Sequence, residues 1–395
     1  MSQREVVVVG GLRTAIGTYG GSLKDQAATE LGGLVIAELL KQTGVSADEI
    51  GHCVMGNVAH SERRDLYMSR TAGLLGGLNI ETPALTVNRL CGSGLQAVIS
   101  AAQQILLGDC DAAVAGGAET MSNLPYWIPA ARWGARMGDS TLVDPMVNAL
   151  TCPMNNYHMG ITAENLVEQE GISREDQDAL AAESHRRAAA AIEAGYFKEQ
   201  IVPVELKSRK GTKIFDTDEH VRPDTSVESL ATMRPVFKKD GTVTAGNASG
   251  INDAAAAVIL MERSAAQAKG HTIMARLVGY STAGVDPSIM GIGPVPAVNQ
   301  LLAKHDLTIA DIDLWEVNEA FASQALAVCR QLDLPMDKVN PNGSGVSLGH
   351  PIGATGALLT VKAMHELQRT GGRYAVVTMC IGGGQGIAAL FEREG

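Results

Sequence analysis

Aromatic side chains make up only 4% of this 395-residue chain and charged ones only 19%. The formal net charge is −11, and no basic face or run of stacking rings stands out. These shortages exclude nucleic-acid binding, which needs phosphate-pairing cations and exposed aromatics. The six cysteines, at 53, 91, 110, 152, 329 and 380, form no CxxC pair and no regular spacing. A disulfide framework and a zinc cluster are thereby excluded, and a reducing cytoplasm is the expected compartment. No apolar run is read as long enough to span a membrane, and no signal peptide is read ahead of the first strand at 6–9. The expectation is a cytoplasmic protein with neither a membrane nor a nucleic-acid partner.

What the chain does have is apolar residues, at 45%, and 44 glycines. Its length supports roughly two or three domains. Short apolar strands at 6–9, 53–56, 84–87 and 112–115 alternate with helical patterns at 27–41, 65–75 and 95–107. Near-continuous apolar strands between helices predict an α/β sheet covered on both faces. The same grammar returns past residue 272, with strands at 275–278, 314–317 and 374–379 and helices at 295–303, 321–331 and 353–368. Residues 87–93 parallel 317–323, and 111–117 parallel the stretch from 374 to the 382–384 glycines, so an internal duplication is expected.

Residues 121–245 break this rhythm. A long helix starts there at a capping-box-like Ser173-Arg174-Glu175-Asp176 and stops at Gly195. The segment reads as an insertion that binds substrate, a partner subunit, or both. The expected division is 1–120 together with 246–272, the insertion 121–245, and 273–395. Within the insertion Lys207, Arg209, Lys210 and Lys213, followed by Arg222, make a basic stretch in an acidic chain. It has two readings, a solvated loop or a landing surface for a phosphate-bearing ligand.

The chemistry starts at Cys91. A strand ends near Val87, a small-residue elbow follows, and a helical pattern begins at about Gly92. A cysteine at this junction points its sulfur at a helix N-terminus, where free N–H groups and the dipole favour the thiolate. Read alone, Cys91 is equally a small buried residue. Two loops in the second half share its glycine-rich setting: 342–353, which carries His350, and 380–386, which opens with Cys380 after a strand. An imidazole could take the proton of Cys91 for attack on a thioester, with the amides of Cys91 and Gly382 holding the oxyanion. A second cysteine near a bound acyl group could exchange a proton with carbon if the enolate is stabilised, and the Asn318 amide could hold a water for that purpose. Without Cys380 the set supports acyl transfer alone; with it, carbon–carbon bond making or breaking becomes accessible.

Cys91-Gly92-Ser93-Gly94, Asn318-Glu319-Ala320-Phe321, Gly349-His350-Pro351 and Cys380-Ile381-Gly382-Gly383-Gly384 resemble, in that order, the four motif blocks of the thiolases. The resemblance spans essentially the whole chain. It implies a duplicated five-layer α-β-α-β-α core with an inserted loop domain. It implies that Cys91 carries the acyl group, that His350 activates it, and that Cys380 deprotonates a second acetyl-CoA. His350 and a water on Asn318 would form one oxyanion hole, the amides of Cys91 and Gly382 the other. Residues 244–250, with Ala248 and Ser249, resemble the pantetheine loop of coenzyme A binders in this family, and His158-Met159-Gly160 the loop over the acyl pocket. Arg222, Ser229 and Phe237 fall where the family contacts the nucleotide and pantetheine, Leu150 and Ser249 where it lines the channel, and Phe321 within the second motif block. Coenzyme A thioesters are implied as substrates, with no cofactor and no metal, and 132–139 as part of a homotetramer contact.

The loops at 60–65 and 340–345 depart from the acetoacetyl-CoA wording and resemble a broad-specificity bacterial branch associated with polyhydroxyalkanoate synthesis. The implied product is a short 3-ketoacyl-CoA of four or five carbons, made from two acyl-CoA, with thiolysis as the reverse. A degradative thiolase of longer-chain preference is the alternative. A ketoacyl synthase would carry His or Asn where Cys380 stands.

Overall fold

The computed structural model describes residues 4–209 and 211–394; Met1, Ser2 and Gln3, and Lys210 of the basic stretch, lie outside them. The first half contributes β1 (Val6–Thr14), β2 (His52–Gly56), β3 (Ala84–Val87), β4 (Ala112–Thr120) and β5 (Asn252–Glu262). The second contributes β6 (Ala275–Gly284), β7 (Leu314–Val317), β8 (Tyr374–Ile381) and β9 (Gln385–Arg393). Strands β1, β4 and β5 are buried along their whole length, as apolar runs covered on both faces require.

The strand order is β3-β2-β4-β5-β1 in the first half and β7-β8-β9-β6 in the second, joined by a short antiparallel contact of Val7 and Val8 with Arg276 and Ala275. Directions match pair by pair: β2 with β4 and β7 with β8 run parallel, and the following pairs run antiparallel. Val339 bridges Trp315 in parallel and stands where β3 stands in the first half. Even the irregularities repeat. The register slips between Val8 and Gly10 in β1 and between Leu277 and Gly279 in β6, a bulge kept in both copies. This topology corrects one expected local match. Val87 ends a third strand and Val317 a second, so 87–93 and 317–323 are not equivalent positions, whereas β4 and β8 are.

Helices form three layers around these sheets: α1 (Ala28–Thr43), α2 (Met68–Leu75), α3 (Ser93–Leu107), α4 (Met159–Glu170), α5 (Arg174–Glu193), α6 (Pro294–Lys304), α7 (Ala322–Gln331) and α8 (Thr355–Thr370). Leu31, Val35 and Leu39 of α1 and Ala72 of α2 cover the outer face of the first sheet. Val298 and Leu301 of α6 and Val328 of α7 cover the outer face of the second. Between the sheets, Leu95, Val98 and Ile105 of α3 pack with Leu358, Val361 and Met364 of α8. The result is the five-layer α-β-α-β-α stack. The two central helices approach so closely that a Cβ on Gly94 would lie 2.6 Å from the Ala357 backbone nitrogen, a contact open only to glycine.

The central position of α3 corrects the expectation that no run reaches membrane-spanning length. Residues Leu90–Leu107 are long and apolar enough by composition, and that apolarity serves the core between two sheets. The predicted helix at 65–75 is a 3₁₀ turn, Arg63–Tyr67, running into α2. Ser173 caps α5 by accepting from the Asp176 N–H at 3.0 Å. Arg13, fully buried, ties β1 to the inserted segment through Asp218 Oδ1 at 2.7 Å, Asp218 Oδ2 at 2.9 Å and Gln200 at 2.7 Å.

Candidate active site

Strand β3 delivers the chain to an elbow that turns at Leu90, a non-glycine residue at φ 47°, a conformation costing roughly 1–3 kcal/mol. The turn is held by its own polar groups. Ser93 Oγ donates to Leu90 O at 2.7 Å and accepts from Arg89 N–H at 2.8 Å, and Asn88 Oδ1 accepts from Leu90 N–H at 2.9 Å. Cys91 follows, half-buried, immediately before Gly92, the N-cap of α3. A Cβ on Gly92 would sit 2.6 Å from Ile381 Cδ1, so the elbow presses directly on the end of β8.

Cys380 lies on β8 opposite Gly386 of β9, and Gly383 and Gly384, at φ 82° and 81°, make the turn between those strands. It is fully buried. Burial pushes its thiol far above the ordinary range, and the neighbouring Cys91 pushes the same way. Cys91 is raised as well, first by burial, while the amides of Gly382 and of Cys91 itself pull the other way and Glu119 adds to the rise. Against the expectation from the helix N-terminus, desolvation outweighs the pull of these amides, so the resting group is a thiol and needs a base.

That base position is occupied by His350. Gly349, at φ 113°, has no room for a side chain beside Asn252, and Asn252 Oδ1 accepts from the His350 N–H at 2.9 Å. The His350 ring is buried, with Nδ1 2.6 Å from Thr355 Oγ1 and Nε2 3.5 Å from Asn318 Nδ2. Burial pushes its pKa down to about 4, so the imidazole is neutral at pH 7. Glu119, at the end of β4, accepts from the N–H groups of Val58 (3.0 Å), Ala59 (3.1 Å) and Gly353 (2.8 Å) and from Asn57 Nδ2 (3.0 Å). It clamps the His350 loop of the second half onto the first. Burial pushes its carboxyl up to about 8 against the pull of those amides.

Cys91, His350, Cys380 and Gly382 open onto one cavity of about 390 Å³. Leu150, His158, Met159, Arg222, Phe237, Ala248, Ser249 and Phe321 line it too. His158 caps α4 by accepting from Gly160 N–H at 3.0 Å and stacks on Phe237, ring centroids 4.7 Å apart. The loop at 244–250 is pinned to the second motif: Ser249 N–H donates to Ala320 O at 3.0 Å and Ala322 N–H to Asn247 O at 2.8 Å. Two expected residues stand off the cavity. Asn318 is buried beside His350, its Nδ2 3.5 Å from Nε2 of the ring, and its Oδ1 has no partner among the described residues. Ser229 is exposed on a short helix, Val227–Ala231, where its hydroxyl pairs with the Ser226 backbone.

The described part of the basic stretch forms a hairpin, Val204–Ser208 with Gly211–Phe215, whose Val204 and Phe215 join the apolar cluster of α1. None of it lines the cavity; of the basic residues singled out, only Arg222 does among the described residues. Sequence reasoning missed Met121, Met290, His220 and Ile352 on the cavity wall, and Glu119 and Thr355 behind it. A polar residue at the end of a wholly buried strand was the available signal for Glu119. A hydroxyl five residues past a histidine, at a helix start, was the signal for Thr355.

Beside Arg222 and His220 on the cavity wall, His185 Nδ1 accepts from the Arg222 N–H at 3.1 Å and its ring stacks on His220 at 6.4 Å. Burial pushes both down to about 4, with His220 and Arg222 adding to the effect on His185 and Arg222 to that on His220. A histidine whose folded pKa lies below its unfolded value leaves the unfolded chain holding more protons. Its contribution is therefore complete above about pH 6.5 and lost as pH falls toward 4. The melting temperature of His185→Gln, which keeps an acceptor for Arg222, is expected to fall less between pH 6.5 and 4.5 than that of the parent. Superimposable pH dependences by differential scanning would contradict this.

A mirrored pair of α/β halves, with a thiol, an imidazole and a second thiol on one channel at their seam, defines a duplicated-fold enzyme class built around a reactive cysteine. The chain belongs to the thiolase family: residues 6–264 match its N-terminal domain and 271–393 its C-terminal domain. It is 64% identical to the beta-ketothiolase BktB of Cupriavidus necator over 391 residues, covering 99% of each chain. It superposes on the crystal structure of the Bacillus anthracis acetyl-CoA acetyltransferase with a TM-score of 0.97 at 47% identity, over 99% of both chains. A human mitochondrial 3-ketoacyl-CoA thiolase solved in complex with CoA matches with a TM-score of 0.96 at 46% identity, over 99% of this chain and 98% of that one.

Proposed function

We propose that the protein is a β-ketothiolase, an acyltransferase that joins two acyl-CoA into a short-chain 3-ketoacyl-CoA and runs the reverse thiolysis. The observation that carries this reading is the convergence of Cys91, His350 and Cys380 on one channel. In the first half-reaction the Cys91 proton passes to His350 and the sulfur attacks the thioester carbonyl. The amides of Cys91 and Gly382, which already face that sulfur, hold the oxyanion. Coenzyme A leaves as the thiol, taking the proton. In the second, Cys380 removes an α-proton from acetyl-CoA, and His350 with a water on Asn318 holds the enolate oxygen while carbon attacks the acyl group; the acyl carbon–sulfur bond breaks, Cys91 leaves as thiolate, and the proton held by Cys380 restores its thiol.

The two thiols are coupled in a useful sense. A charge on Cys91 would raise Cys380, and an acylated Cys91 can carry none, so the neighbouring sulfur does not oppose ionisation of Cys380 when a base is required. In thiolysis the raised thiol is an effective acid toward carbon. No step calls on a metal or cofactor; coenzyme A thioesters are the substrates. Arg222, Phe237, Leu150, His158, Met159, Ala248 and Ser249 hold the carrier arm, with Ser229 outside the channel near its nucleotide end.

Short chains are favoured by the kinship with BktB and by an acyl end closed by Met159, Met290 and Phe321, each under 10% exposed. Synthesis toward polyhydroxyalkanoate precursors in the cytoplasm is the corresponding role. Tetramer assembly through 132–139 is supported by Tyr126, Trp127, Trp133, Met137 and Leu142, all more than half exposed in the single chain. The test is thiolysis of four-, five- and eight-carbon 3-ketoacyl-CoA. The expected result is kcat/KM for the two short substrates exceeding that for the eight-carbon one by about tenfold or more, since each misfit methylene costs on the order of 1–3 kcal/mol. A preference for eight carbons would return the degradative alternative.

A further inference from the structure

One histidine on the wall of the channel takes no part in acyl transfer or in the carbon–carbon step. His220 is half-buried and lines the cavity with Arg222, Ser249 and Gly250, and no described residue hydrogen-bonds to either of its ring nitrogens. A polar group held in a cleft without a protein partner is an exception that calls for a ligand or a water. The ring is nevertheless fixed in place. Asp218 and Glu219, just before it, are tied to the first half of the chain. Asp218 meets Arg13 at 2.7 Å in a fully buried ion pair, and Glu219 accepts from Ser22 Oγ at 2.7 Å and from the Thr18 N–H at 3.0 Å. His185 stacks on His220 with the ring planes 26° apart. A Cβ on Gly250 would lie 2.5 Å from His220 Cε1, so it is a glycine that admits the ring beside the loop at 244–250.

We propose that His220 is a binding residue for the carrier arm, its ring edge hydrogen-bonding an amide of the pantetheine portion of the acyl-CoA. Charge decides which part of the carrier it meets. Burial first, and then the Arg222 charge, push its pKa down to about 4, so the ring is neutral at pH 7. A neutral imidazole has one N–H and one lone pair. That pair of groups complements an amide, with its carbonyl acceptor and its N–H donor, and offers a phosphate no counter-charge. The phosphates suit the guanidinium of Arg222, two residues on, a permanent cation with a planar fork of donors. No amide of the arm takes part in the bonds that change. The contact therefore holds ground state and transition state alike, and bears on carrier affinity rather than on the chemical step.

This inference rests on the reading of the cavity as an acyl-CoA channel. Its test is single-turnover acylation of Cys91 by three radiolabelled donors: acetyl-CoA, S-acetylphosphopantetheine and S-acetylpantetheine. His220→Phe keeps an aromatic ring for the stack on His185 and removes both nitrogens. It is expected to raise the half-saturating concentration of all three donors by the same factor, about 3- to 10-fold, the range of one hydrogen bond. The limiting rate is expected to stay within about twofold of the parent. His220→Gln, which returns a donor and an acceptor but no ring, is expected to recover most of the loss, whereas a merely structural ring would make glutamine the worse replacement. A rise confined to the two phosphate-bearing donors overturns the proposal, as does no rise with any donor. A fall in limiting rate at unchanged half-saturation overturns it too. If the parent itself takes no label from any of the three, the acyl-CoA reading fails and the role of His220 falls with it.

Discussion

Replacement of Cys91 by serine is expected to abolish labelling of the protein by radiolabelled acetyl-CoA and to lower turnover by on the order of 10⁴-fold or more. The substitution is nearly isosteric at a half-buried elbow whose geometry is set by Leu90, Asn88 and Ser93, so folding is preserved. What is lost is the nucleophile. A thiol, even one raised by burial, ionises far more readily than a serine hydroxyl. His350, neutral and backed by a hydroxyl, is a weak base for anything less acidic. Radiolabel retained on the serine variant would show that the acyl group is carried elsewhere.

Cys380→Ser should behave differently. Labelling of Cys91 by acetyl-CoA is expected to stay within about tenfold of the parent, while condensation and thiolysis fall on the order of 10³-fold, the range of a lost general acid–base group. Exchange of the acetyl α-protons with deuterated solvent should fall with them. The reason lies in placement. Cys380 is buried on β8 and faces the channel with Gly382, whereas the amides that serve the acyl carbonyl belong to Gly382 and Cys91. Equal loss of labelling and of carbon–carbon chemistry would contradict a division of labour between the two sulfurs.

Much of this was legible in residue order. The strands at 53–56, 84–87 and 314–317 stand at or within a residue of their expected bounds, their mostly apolar runs broken only by Thr86 and Glu316. The site loops were legible because nucleophile, base and second thiol each sit among glycines at an element's end. Strand β5 was not. Its Asp253-Ala254-Ala255-Ala256-Ala257 run has little intrinsic strand preference, and it is extended because pairing to β1 and β4 on both edges overrides local propensity. Strand β9 was hidden in the same way behind the 382–384 glycine turn. The 87–93 and 317–323 match shows the opposite error, a local likeness between segments that the topology sets on different strands.

The sequence by itself determined the chemistry available: which atoms can attack, which can carry a proton, and that the chain is two α/β halves with an insertion. Only the tertiary structure decided their states. Burial raises the Cys91 thiol although its helix N-terminus was expected to favour the thiolate, because desolvation of the charge outweighs the amides of Gly382 and Cys91. The fold set Asn318 beside His350 just off the cavity wall, left Ser229 on the surface, and left Lys207, Arg209 and Lys213 exposed on a hairpin away from the cavity. It also brought Glu119 and Asn252 to the histidine loop from strands of the other half and set the Thr355 hydroxyl against the ring. The placement of Glu119 and Asn252 depends on contacts between residues 234 and 98 positions apart, and no local pattern records which buried donor will meet which acceptor.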